Sequence, residues 1–121
     1  MTALRLKLIV IRSMDVFRCA AFYRQFGIEF SEHRHGTGPL HFAAELAGVV
    51  FEIYLTRKVE DVDRTTRLGF VIPDIHTSIP TLHSNGVEFV EELEQTEWGQ
   101  RVVVRDPDGR SVELYAAETS P

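Results

Sequence analysis

A chain of 121 residues, 44% hydrophobic and 26% charged, has the make-up of a single globular domain (1–121) rather than of a disordered segment. The formal charge of −5, with no Lys/Arg run longer than Arg57-Lys58, excludes an extended basic surface, so no nucleic acid and no membrane is expected as a partner. The lone Cys19 excludes an intrachain disulfide, no apolar run approaches the roughly 18 residues of a membrane span, and the apolar stretch after Met1 is too short for a secretory signal; a cytoplasmic location is expected.

Residues 4–11, "LRLKLIVI", are rich in Leu, Ile and Val and predict a strand. Asp15 then suits a helix N-cap, and Cys19, Phe22, Tyr23 and Phe26 share one helical face, so a helix is expected from Val16 to Phe26, stopped by Gly27. Strands are expected at 28–33, 40–46 and 49–55, with a turn at "GTGP" and a hairpin around Ala47-Gly48. The polar stretch 57–65 reads as a linker.

The same order then repeats. A strand at 66–72 precedes a short helix between an Asp74 cap and the Asn85-Gly86 stop. Pro80 lacks the amide that would bond the carbonyl of His76, which predicts a kink or a start as late as Ser78. Strands follow at 87–93, 99–105 and 111–116, the last two joined by the strong turn Asp106-Pro107-Asp108-Gly109. Residues 91–97, "EELEQTE", read as a solvated loop face. Gly27 and Gly86, and likewise Glu52 and Glu113, recur at a spacing of about 60 residues, the signature of an internal duplication. The chain thus reads as tandem βαβββ modules, 4–56 and 66–117, in the α+β class.

The stretches "VIRSMDVFRCAAFYRQFGIEF", "VVFEIYL" and "EWGQRVVVRDPDGRSVELYA" resemble the vicinal oxygen chelate superfamily, which includes glyoxalase, extradiol dioxygenases and the fosfomycin and bleomycin resistance proteins. The resemblance runs from about Leu4 to Ala116, and "DPDGRSVELYA" is its most specific part. It implies paired modules whose mixed sheets curl around a central cleft.

Two glutamates stand in apolar strands, in Phe51-Glu52-Ile53-Tyr54 and Val112-Glu113-Leu114-Tyr115. Strand alternation puts Glu52 with Val50 and Tyr54, and Glu113 with Ser111 and Tyr115, leaving the apolar partners for the helix side. Both glutamates are therefore expected to line the cleft. In metal-using relatives these two positions are ligands, joined by first-strand residues of which at least one is histidine. Here those first-strand positions are read as Leu8, seven before Asp15, and Phe70, just after Gly69. Neither donates an electron pair, and two carboxylates alone make a weak, hard site, so no metal and no other cofactor is expected; a divalent ion is disfavoured rather than forbidden.

The expected ligand site comprises Leu8, Val10, Arg12, Glu52, Tyr54, Phe70, Ile72, Trp98, Glu113 and Tyr115. Low polarity and mutual repulsion would raise the apparent pKa of the two carboxylates. By resemblance to the bleomycin resistance type, the leading reading is a metal-free protein that sequesters a small, cationic or aromatic molecule, as a homodimer. A glyoxalase-like lyase or isomerase with Glu52 or Glu113 as general base is the second reading, and a non-catalytic scaffold or regulatory domain the third. His33, His35 and His41 read as solvated hairpin residues, His33 and His41 facing each other, and Cys19 as packing.

Overall fold

The structure of the protein, a computed structural model, describes residues 3–34 and 36–117, so His35 lies outside the described residues. The chain divides into two compact units, Met1–Asp63 and Arg64–Pro121. Each carries one four-stranded mixed sheet.

The first unit contains β1 (Leu8–Ser13), α1 (Val16–Arg24), β2 (Ser31–His33), β3 (His41–Leu46) and β4 (Val49–Leu55). Its sheet order is β1-β4-β3-β2, with β1 parallel to β4 and the other pairs antiparallel. The strand expected at 4–11 begins at Leu8, because β4 starts at Val49 and offers residues 4–6 no ladder to join. Asp15 caps α1 as expected, accepting from the Arg18 amide at 3.1 Å. The helix gives way after Arg24 to a tightened last turn in which the Phe26 and Gly27 amides bond the carbonyls of Tyr23 and Arg24. Ala47 and Gly48 both adopt positive φ, 50° and 90°, as a two-residue hairpin turn matched to strand twist requires.

The second unit repeats the plan with β5 (Leu68–Ile72), α2 (Ile75–Ser84), β6 (Phe89–Thr96), β7 (Gly99–Arg105) and β8 (Ser111–Ala116), in sheet order β5-β8-β7-β6. Asp74 caps α2, accepting from both the amide and the hydroxyl of Thr77 at 3.2 and 2.7 Å. The helix starts at Ile75 and runs through Pro80, not from Ser78. One missing amide removes one hydrogen bond, and the Asp74 cap holds the first turn ahead of it.

The expected loop at 91–97 is mostly strand. β6 extends to Thr96, paired with Gly99, and absorbs its polar residues by shifting register between Phe89 and Glu91 and again between Glu91 and Glu94. The linker 57–65 contains a single 3-10 turn, Val59–Asp61, and Asp63 accepts from the Arg12 amide at 2.9 Å.

Alternation holds on both fourth strands. Phe51 and Ile53 are buried, and the Tyr23 ring of α1 meets Phe51 edge-on at 5.2 Å, so the apolar face of β4 packs on its helix. Val112 and Leu114 are buried likewise, and α2, with Ile75 and Leu82 buried, lies against β8. Each such aliphatic side chain contributes about 1.5–3 kcal/mol by leaving water.

The turn between β7 and β8 holds a buried ion pair. Arg110 is fully buried and donates to Asp106 Oδ2 at 2.8 Å, while Asp106 Oδ1 accepts the amides of Asp108 and Arg110. A buried guanidinium is tolerated only when its charge and its donors are matched in this way.

Candidate functional site

On the first sheet, strand register gathers one face. Val10 lies beside Glu52, Leu8 beside Val50 and Arg12 beside Tyr54, so these six residues project to the same side. β3 adds His41 opposite Tyr54, Ala43 opposite Glu52 and Glu45 opposite Val50; β2 adds His33 opposite His41.

Glu52 keeps 20% of its side chain exposed and has His41 Nε2 3.9 Å from Oε2. His41 is buried, contrary to its reading as a solvated hairpin residue. Its ring stacks on Tyr54 with centroids 4.3 Å apart and planes 4° from parallel, and Nδ1 donates to the Pro39 carbonyl at 3.4 Å. His33 stacks on the other side at 5.5 Å, so the two histidines do face each other.

On the second sheet, Glu113 lies in a different environment. Its Oε1 accepts from the Tyr115 hydroxyl at 2.6 Å and from Arg101 at 3.2 Å, and its Oε2 accepts from Arg67 Nε. Arg101 also bonds Glu91 at 2.8 Å and Glu94 at 2.5 Å, tying β6, β7 and β8 together. The Tyr115 hydroxyl first, then Arg67 and Arg101, hold the Glu113 carboxyl below the usual carboxylate range against the opposing effect of burial. The expected upward shift is thus reversed at Glu113, because hydrogen bonds and cations outweigh desolvation.

Register also corrects two site assignments. Gly69 pairs with Glu113 and Val71 with Tyr115, whereas Phe70 pairs with Leu114 and Ile72 with Ala116. Phe70 and Ile72 therefore project from the face opposite Glu113, and Ile72 is buried there. Leu8 stands seven residues before the Asp15 cap, and the same spacing before the Asp74 cap leads to Arg67. Sequence reasoning missed Arg67 by counting from a glycine; the second helix cap is the signal that finds it.

A metal held by a carboxylate needs free lone pairs and a second donor. Both Glu113 oxygens already accept hydrogen bonds, and the residue seven before the second cap is a guanidinium, which carries no lone pair to donate. These residues do not fit a divalent ion.

Trp98 sits in the β6–β7 turn, 74% exposed and 6.2 Å from the Tyr115 ring. It borders an open depression of about 690 Å³ that Asp74, His76, Gln95, Gln100 and Ala116 also line. His76 Nε2 and Gln100 Oε1 meet there at 3.2 Å.

The family model of the glyoxalase/bleomycin resistance protein/dioxygenase superfamily matches residues 5–114. No curated protein matches the sequence. Among solved structures, the oxidase ChaP-H2 superposes with a TM-score of 0.78 at 17% identity, covering 98% of each chain. TnmS3, an antibiotic-binding protein from Streptomyces sp. CB03234, superposes with a TM-score of 0.74 at 19% identity, over 98% of this chain and 99% of its own. An integron cassette protein from the mobile metagenome of V. cholerae gives 0.71 at 19% identity, over 98% of each chain. At these identities the likeness is one of fold. The family model spans nearly the whole chain, and the protein belongs to the glyoxalase/bleomycin resistance protein/dioxygenase superfamily.

Proposed function

We propose that the protein binds and sequesters a small organic molecule without a metal. One observation carries this reading: where metal-using relatives keep a carboxylate free for an ion, Glu113 is held by Arg67, Arg101 and Tyr115. The antibiotic-binding relative TnmS3 supports it at the level of the fold. The residues proposed to face a ligand are Leu8, Val10, Arg12, Glu52 and Tyr54 on the first sheet, taken by itself, and Trp98 and Tyr115 on the second, taken by itself. The exposed Trp98 ring beside Tyr115 suits an aromatic ligand. We also propose a homodimer; light scattering giving the mass of one chain at micromolar concentration overturns that part.

The test is a thermal-shift panel of aromatic antibiotics and drugs, run with and without EDTA. A ligand present at about 100 times its Kd stabilises the fold by about 2.7 kcal/mol, enough to read as a clear rise in Tm. At least one compound is expected to stabilise the protein equally in both conditions. No stabilisation by any compound, or stabilisation that EDTA abolishes, overturns the reading.

A second reading has its own support in His41, which lies against Glu52 as a neighbouring imidazole would beside a general base. In that case a compound from the panel is converted rather than held, and Glu52→Gln abolishes turnover while leaving binding. Unchanged turnover in that variant removes Glu52 as the base.

A further inference from the structure

The duplicated glutamates have equivalent places in their modules and unequal surroundings. Glu113 has two guanidinium partners and a tyrosine hydroxyl. Among the described residues, the one ionic partner of Glu52 is His41, at 3.9 Å, too far for a hydrogen bond. A carboxylate already matched by internal cations gains little from a cationic ligand. One that keeps a fifth of its surface in water, with no close cation, is available to bind one.

The neighbours of Glu52 specify what kind of cation. On the same sheet face, Glu45 and Glu52 are the carboxylates, Arg12 is the guanidinium and His33 and His41 are the imidazoles. Among the described strand residues of that face, carboxylates outnumber the guanidinium two to one. The half-buried Tyr54 ring, backed by the parallel His41 ring, forms a flat aromatic wall two strand positions beyond Glu52, on the same face. Val10, Ala43 and Val50 leave the surroundings of the carboxylate apolar. A carboxylate beside a stacked aromatic wall is complementary to a primary ammonium joined to an aromatic ring through a short alkyl link, which keeps the nitrogen basic.

We infer that the duplication has divided the work: Glu52, with Tyr54 and His41, anchors an arylalkyl ammonium on the first sheet, and Glu113 is an internal brace that takes no ligand. This rests on the small-molecule reading above and narrows it to a ligand class and to one of two homologous positions.

The probe is benzylammonium chloride, titrated into nitrogen-15-labelled protein at constant ionic strength, with benzyl alcohol as the uncharged match. Saturable amide shifts are expected at His41, Ala43, Glu52 and Tyr54, with weaker shifts from the alcohol. Glu52→Gln is expected to weaken binding about 5-fold or more, the scale of one charge-assisted contact. Glu92→Gln, which removes one exposed carboxylate on β6, is expected to leave it unchanged.

Shifts centred on Val103 and Glu113, or equal affinity in Glu52→Gln, overturn the division of work. So does absence of saturable shifts, and so do shifts at the same residues on concentrating the protein alone, which would mean that a second copy covers this face. If the Gln variant fails to fold, the location of the wild-type shifts still decides. A negative result here alongside a hit in the antibiotic panel defeats only this inference; failure of both defeats the binding reading itself.

Discussion

The Tyr115 hydroxyl donates to Glu113 Oε1 at 2.6 Å across two positions of the same strand. Residues i and i+2 of a strand share a face, so the pair is built into β8 itself and then reinforced by Arg67 and Arg101. The bond lowers the Glu113 pKa and raises that of Tyr115. For Glu113 the folded value lies below the unfolded one, so its contribution to stability is present above the unfolded carboxylate value of about 4.3 and lost as pH falls through the folded value. For Tyr115 the shift is upward, so its contribution is present below the unfolded value of about 10 and lost as pH rises through the folded one. Urea midpoints measured across both flanks should fall at acid and alkaline pH. Tyr115→Phe should flatten both slopes, and its Glu113 carboxyl, followed by carbon-13 NMR, should titrate higher than in the wild type. A Glu113 titration unmoved by the substitution would show that the arginines alone set it.

The face assignments on β5 make a second prediction. Phe70 lies on the Leu114 side and is half-buried, whereas Val71, on the Glu113 side, is 69% exposed. Phe70→Ala should therefore cost about 1–3 kcal/mol through lost burial, and Val71→Ala less than about 0.5 kcal/mol. Chemical denaturation compares them directly. The reverse ranking would place β5 one residue out of its register.

Much of this architecture is written in local sequence. The two aspartate caps, the Ala47-Gly48 hairpin and the Asp106 turn each rest on side-chain or φ requirements within four residues, and each stands where the sequence puts it. What the sequence does not display is set at a distance. The start of β1 depends on where β4 begins, and β6 runs on through polar residues because Arg101 on the next strand holds Glu91 and Glu94. The placement of both glutamates on the faces opposite their helices follows from alternation alone. The inequality between them does not, since Arg67, Arg101 and His41 reach their carboxylates from other strands or from the segment before β5.

Arg110 tests the cost of burying charge. Its guanidinium and Asp106 are both removed from water, with Asp108 Oδ2 a further 3.6 Å away from the same nitrogen. Arg110→Ala removes the guanidinium that pairs with buried Asp106, so the loss is expected at about 3–5 kcal/mol. The double variant Arg110→Met with Asp106→Asn, which removes both charges, should recover part of that loss. Half-buried Arg105, which pairs with exposed Glu88 at 3.2 Å and donates to the Gly109 carbonyl at 3.1 Å, provides the contrast: Arg105→Ala leaves no buried charge behind and is expected to cost less than Arg110→Ala. Equal effects at 105 and 110 would mean that the turn pair has no special role.

The fit of Glu113 to its arginines also predicts how the protein responds to metals. A divalent ion at this position would have to displace Arg67 and Arg101 from both carboxylate oxygens and would bring its charge close to two guanidinium groups. Zinc or nickel at about 100 µM should therefore leave Tm unchanged, since a ligand stabilises only the state it binds. Elemental analysis after dialysis against either metal should find no stoichiometric ion. Removing one competitor, in Arg67→Ala, frees an oxygen but supplies no imidazole, so a single carboxylate with weak affinity is the expected result. A wild-type Tm that climbs and saturates with either metal, with one ion per chain and both effects lost in Glu113→Gln, would mean that the arginines yield and that Glu113 is a ligand after all.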